Sequence, residues 1–212
     1  MHGRIKYNIV FYEGWTAQQA EANVLDRAGG GKRARTREKL ISAAAAVIGE
    51  KGYDRASLEE IAARAGMTRG AVYGNFKNKE ELFLALIASR WKPIVPPLKP
   101  GASLKEQLHI LGETVAKEAR ARRSQATAAI AFQLYALTHE PMRSHLTKQN
   151  AATYRRMAKD LLKVVPAKEL PMSAEKFVRI LDAMITGLLF TYFQTPELIT
   201  KDIIITALEA LA

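Results

Sequence analysis

The side chains with the most specific chemistry stand together in one short stretch: Thr68, Arg69, Gly70 and Tyr73. A guanidinium presents five donors in a fixed fork, and a hydroxyl or phenol both donates and accepts. A glycine among them lets another surface approach the backbone closely. On one exposed helical face such groups suit base edges and phosphates better than bond-making catalysis. The sequence has no cysteine, which excludes thiol catalysis, disulfides and zinc–thiolate sites. Its four histidines, His2, His109, His139 and His145, form no i,i+4 metal pair, and His139-Glu140 lacks the second histidine of a zincin. No serine sits in a nucleophile elbow. The expectation is therefore no enzyme, no metal and no cofactor.

The elements that must position these groups lie between Ser57 and Phe76. Ser57 followed by Glu60 is a capping box that starts a helix near Leu58. Leu58, Ile61, Ala62 and Ala65 give that helix one apolar face. Gly66 stops it, because glycine accepts the left-handed conformation of a helix C-terminus. Thr68 caps a second helix that starts near Arg69. Two short helices joined by a glycine-containing turn make a helix-turn-helix, whose second helix places its N-terminal end in the DNA major groove. Val72 and Phe76 point back to the core.

Charge supports a polyanionic partner. The formal net charge of the 212-residue chain is +11. Residues 1–31 carry three basic side chains against three acidic, residues 32–92 carry 13 against 7, and residues 93–212 carry 16 against 11. The region of the helix-turn-helix is thus the most basic per residue. Residues 1–31 end in Gly29-Gly30-Gly31 and read as a flexible extension. The basic run Lys32, Arg33, Arg35, Arg37 and Lys39 then leads into a helix with Thr36 as its cap and Leu40, Ile41, Ala44, Val47 and Ile48 as its buried stripe. Asn78 and Glu81 suggest another capping box and a fourth helix, ending at Trp91. Four prolines in 93–101 mark a stiff connector and a domain boundary, with 32–92 on one side and 93–212 on the other.

Everything after Ser103 has helical periodicity, so the expected fold is all-α, about nine helices in all. The expected helices are Ser103 to Arg122, Gln125 to Thr138, one starting after Pro141, one capped by Ser173 and running to Gln194, and Lys201 to Leu211. Trp91, His109, Phe132, Gln133, Tyr135, Tyr154, Met157 and Phe177 are candidates to line a ligand pocket, though ordinary core packing explains each equally well. Ala183, Gly187 and Thr191 fall four apart as a strip of small side chains, flanked by Ile180, Met184 and Leu188. Ile204, Leu208 and Leu211 form a stripe on the final helix. A helix apolar on more than one face needs two partners, so these last two helices are the expected dimer interface. The longest apolar run, 180–193, is short for a bilayer and contains Asp182, so no membrane span is expected and the reading is cytoplasmic.

The arrangement resembles the tetracycline-repressor (TetR) family of transcriptional regulators. The matching residues are Thr36-Arg37, Leu40-Ile41, Ala44, Gly52-Tyr53, Ile61-Ala62, Ala65-Gly66-Met67-Thr68, Arg69-Gly70-Ala71-Val72-Tyr73, Phe76 and Lys77-Asn78-Lys79-Glu80-Glu81-Leu82. The family commonly has His or Tyr where Asn75 stands, and often Thr where Ala56 stands. The resemblance implies a homodimer, a palindromic double-stranded DNA operator, repression, and a small-molecule inducer held by the C-terminal helices. It implies DNA contacts by Arg35, Thr36, Ser57, Thr68, Arg69, Gly70, Tyr73, Asn75, Lys77 and Lys79, with the two lysines on phosphates. The competing readings are a DNA-binding protein without a ligand and a helical enzyme.

Overall fold

The computed structural model describes residues 31–90, 94 and 96–212, without the side chains of 88 and 90. Residues 1–30 and Trp91 lie outside the described residues, and with them the expected extension and one pocket candidate. The protein is all-α. Helix α1 is Gly31–Lys51, α2 Leu58–Arg64, α3 Arg69–Tyr73, α4 Lys79–Arg90, α5 Leu104–Arg122, α6 Ala126–Thr138, α7 Glu140–Leu161, α8 Ala174–Gln194 and α9 Lys201–Glu209.

Among the described residues the chain divides into two compact units, one built on 31–90 with 127–149 and the other on 94 and 96–126 with 150–212. The expected boundary at residue 93 thus misplaces α6 and the first half of α7. Aromatic packing explains why. The Tyr53 ring lies 4.5 Å from Phe83 and 4.4 Å from Tyr135, and Phe83 lies 5.9 Å from Phe132. Tyr135 in turn stacks on His139 at 3.9 Å. Tyr53 and Phe83 flank the helix-turn-helix, so the α6 aromatics complete its core.

Within the first unit, α1 buries Leu40, Ile41, Ala44, Val47 and Ile48, as its periodicity predicts. It ends at Gly52, whose φ of +80° favours glycine. Thr36 is not its cap, because the helix already begins at Gly31. Lys32, Arg33, Ala34 and Arg35 are all good helix formers and nothing before Thr36 interrupts them. Helix α4 realises half of its expected capping box. Asn78 Oδ1 accepts from the Glu81 amide at 2.8 Å, but the Glu81 carboxylate accepts from the Lys77 amide instead.

The second unit is a longer-helix assembly. Ser103 and Glu106 form a full capping box on α5. Leu108, Leu111 and Val115 of α5 pack with Phe177, Leu181, Ile185 and Leu189 of α8 and with Ile204 and Leu208 of α9. At Gly112 α5 and α9 approach closely: a Cβ there would lie 2.9 Å from the Ile205 Cα. Helix α7 starts at Glu140 rather than after Pro141, since proline is tolerated in a first turn. Ser173 occupies the N-cap position of α8 without making a side-chain cap bond. Because α8 begins six residues before Ile180, it is long and apolar enough to cross a membrane by length and composition, which the run 180–193 did not suggest. Its buried residues Phe177, Leu181, Ile185 and Leu189 lie in the core of this unit.

Candidate nucleic-acid interface

Helices α2 and α3 form the helix-turn-helix. Ser57 Oγ accepts from the Glu60 amide at 3.1 Å while the Glu60 carboxylate accepts from the Ser57 amide at 3.3 Å, closing the predicted box. Gly66, with φ +65°, turns the chain. Thr68 Oγ1 then accepts from the Ala71 amide and starts α3. The helix buries only Val72, and Phe76 is buried just beyond it. Thr68, Arg69, Gly70 and Tyr73 stay exposed on the opposite face.

Two salt bridges fix α2 and α3. Arg64 on α2 grips Glu50 on α1 with both terminal nitrogens, at 2.7 and 2.8 Å. That hydrogen bonding holds the Glu50 carboxyl below its ordinary pKa. Arg69 Nε lies 3.0 Å from Glu59 on α2, and Arg69 Nη2 donates to the Tyr73 hydroxyl at 3.4 Å. The Tyr73 hydrogen bond first, and the Glu59 charge second, raise the Arg69 pKa.

The remaining predicted contacts divide. Arg35 and Lys77 are exposed and Thr36 is half-buried inside α1. Ser57 is a cap with its hydroxyl engaged. Asn75 is not presented outward as the sequence reading expected: its amide donates to the Ala71 carbonyl at 2.8 Å and its Oδ1 is buried. The end of a five-residue helix needs such a donor, because its last carbonyls have no helical partner. Lys79 is also corrected. Its ammonium donates to the Tyr53, Asp54 and Ala56 carbonyls at 2.9, 3.2 and 3.0 Å, and lies 4.4 Å over the Tyr53 ring. An ammonium has three donors, so Lys79 locks the loop before α2 instead of meeting a phosphate.

The sequence reading placed Arg37 only in the basic run and the family match, and gave Glu59 no role. Arg37 Nη1 donates to the Asn75 carbonyl at 2.8 Å and its guanidinium sits 4.2 Å over Phe76, tying α1 to the end of α3. No local spacing signals either residue, since each acts across helices.

The model for bacterial regulatory proteins of the tetR family matches residues 40–86, the same stretch that folds as α1 to α4. Residues 40–86 of this chain carry the DNA-binding segment characteristic of that family. It is 40% identical over 70 residues to the HTH-type transcriptional regulator SrpR of Pseudomonas putida, a match covering 33% of each chain. It is 28% identical over 176 residues to the HTH-type transcriptional regulator AcrR of Shigella flexneri, covering 76% of this chain and 80% of that one. The matches to the first two P. putida regulators thus span only a third to about half of those proteins. A crystal structure of NalD, described as the secondary repressor of the MexAB-OprM multidrug efflux pump in Pseudomonas aeruginosa, superposes with a TM-score of 0.59 at 25% identity, covering 84% of this chain and 94% of that one. These relatives are regulators, not enzymes.

Elsewhere in the chain, the described pocket candidates divide between the two units. Phe132 and Tyr135 are buried in the aromatic core of the first unit, and Gln133 beside them is half-buried. Burial first, and the hydrogen bond with Tyr135 second, hold the Tyr53 hydroxyl well above its ordinary pKa; burial does the same to Tyr135. His109 is exposed, 2.6 Å from Glu209. Met157 is buried with Val178, and Phe177 belongs to the core of the second unit. Tyr154 donates to Asp182 at 2.7 Å, and burial raises the Asp182 carboxyl to about 6 against that bond.

The predicted dimer residues also divide. Ile204 and Leu208 are spent on the unit's own core, with Leu211 packed against it, because α5 comes close enough at Gly112 to cover them. On α8, Ala183, Gly187 and Thr191 are exposed, and Ile180 and Met184 are half-buried.

Proposed function

We propose that this chain is a ligand-responsive transcriptional repressor of the cytoplasm, which binds a palindromic double-stranded operator as a homodimer and leaves it when a small-molecule inducer binds. The observation that carries the DNA reading is the split of α3: Val72 is buried while Thr68, Arg69, Gly70 and Tyr73 stand exposed. A short helix that buries one side and exposes hydrogen-bonding groups on the other is the form that enters a major groove. Arg35 and Lys77 flank it as phosphate contacts. The descriptions of NalD and BepR as repressors favour repression over activation. Selection of bound duplexes from genomic fragments, followed by titration against random DNA at several salt concentrations, tests the reading. A specific complex should outlast the random one as salt rises; equal loss of both would leave only non-specific binding.

The dimer is proposed to close on the exposed α8 strip. A Cβ on Gly187 would meet nothing within 4 Å in the single chain. Gly187→Leu should therefore leave the protomer folded, and even favour the helix, while a large side chain blocks a close partner helix. The expected result is a folded monomer by light scattering that no longer holds paired half-sites. A variant that remains a full dimer would remove this face from the interface.

A further inference from the structure

We propose that Glu59 is a specificity-determining residue of the DNA interface, acting through Arg69; this rests on the DNA-binding reading above. Glu59 is an exposed carboxylate beside the helix that should face a polyanion. Its neighbour Glu60 already serves the start of α2 through the Ser57 capping box and an ion pair with Lys51. Glu59 instead reaches across the turn, with Oε1 3.0 Å from Arg69 Nε. On the other side, Arg69 Nη2 donates to the Tyr73 hydroxyl, and the guanidinium lies 5.4 Å over the Tyr73 ring.

This arrangement favours a base over a phosphate in two ways. A guanidinium gripped at Nε still presents its terminal edge, which matches the O6 and N7 acceptors of guanine. It is held along α3 before DNA arrives, so less rotamer freedom is lost on docking at a base. A phosphate gains less. To neutralise one, Arg69 has to leave Glu59, and the abandoned carboxylate then faces the DNA backbone. Both effects weaken binding to unrelated sequences more than binding to the operator. An exposed pair of this kind contributes modestly, so the expected effect on discrimination is about fivefold.

The test uses the full chain and two duplexes: one enriched by the wild-type protein from a randomised pool, and a scrambled duplex of the same composition. Glu59→Gln should tighten binding to the scrambled duplex, steepen its salt slope by about one as Arg69 reaches a phosphate, and lower the enriched-to-scrambled ratio about fivefold. In an Arg69→Ala background the same substitution should leave the ratio unchanged, because the two residues act as one unit. An unchanged ratio in the wild-type background, or an equal change in both backgrounds, overturns the proposal. Wild-type protein that does not prefer the enriched duplex sinks the DNA-binding reading itself, and this proposal with it.

Discussion

Helices α3 and α8 are held in place by different physics. Helix α3 has five residues, one of them buried. A helix that short is far below the length at which helical hydrogen bonding sustains itself. It is kept by polar ties: the Thr68 cap, the Asn75 amide on Ala71, and Arg37 on the Asn75 carbonyl. Helix α8 has 21 residues, no side-chain cap, and five buried apolar side chains. Apolar packing positions it, supplemented by the hydrogen bond from Tyr154 to Asp182. The contrast teaches where precision comes from in this molecule. Directional bonds from a distance aim the short reading element, and non-directional burial anchors the long one.

The largest test of that contrast is Phe177→Ala. The side chain is fully buried in the α5–α8–α9 core, so the cavity should cost about 3–5 kcal/mol in urea denaturation. A loss near that of a surface substitution would mean α8 is not anchored by packing. Asp182→Asn reverses the sign. A carboxyl raised from 3.8 to about 6 in the folded state favours its protonated form. Its stabilising contribution is present below about pH 4 and is lost as pH rises through 6. Asparagine cannot ionise, so the variant should gain up to about 3 kcal/mol over wild type at pH 8, the gain shrinking as pH falls towards 4. A difference that does not vary with pH would show that the charge is not the cause.

In the first unit, removing a polar group should hurt instead. Lys79→Met leaves the Tyr53, Asp54 and Ala56 carbonyls without their shared donor. The expected cost is about 1–3 kcal/mol of stability, with no change in the salt slope of DNA binding. Lys77→Ala should do the opposite: little change in stability, and a slope lower by about one. Matching slopes for the two variants would return Lys79 to the phosphate contacts.

What the sequence made legible follows the same division. The Ser57 capping box, the Thr68 cap and the stop at Gly66 rest on residues within four positions of each other, and local spacing reports them. Lys79 bonds to carbonyls 23 to 26 residues away and Arg37 to one 38 residues away, so no local pattern contains them. The stripe Ile204, Leu208 and Leu211 shows that α9 has an apolar face but not what covers it. The close approach at Gly112, which assigns that face to α5, depends on residues more than ninety positions apart. The pocket candidates divide between the units for a related reason: an aromatic at helical spacing says it is inside, and not inside which unit.

The aromatic packing of Tyr53 and Phe83 with Tyr135 has a consequence for how the protein is made. Tyr53 precedes Tyr135 by 82 positions and Phe83 precedes it by 52. A ribosome adds about 5–20 residues per second. For several seconds after the helix-turn-helix emerges, Tyr53 and Phe83 have each other but not their α6 neighbours. That aromatic core therefore stays incomplete until α6 has left the exit tunnel.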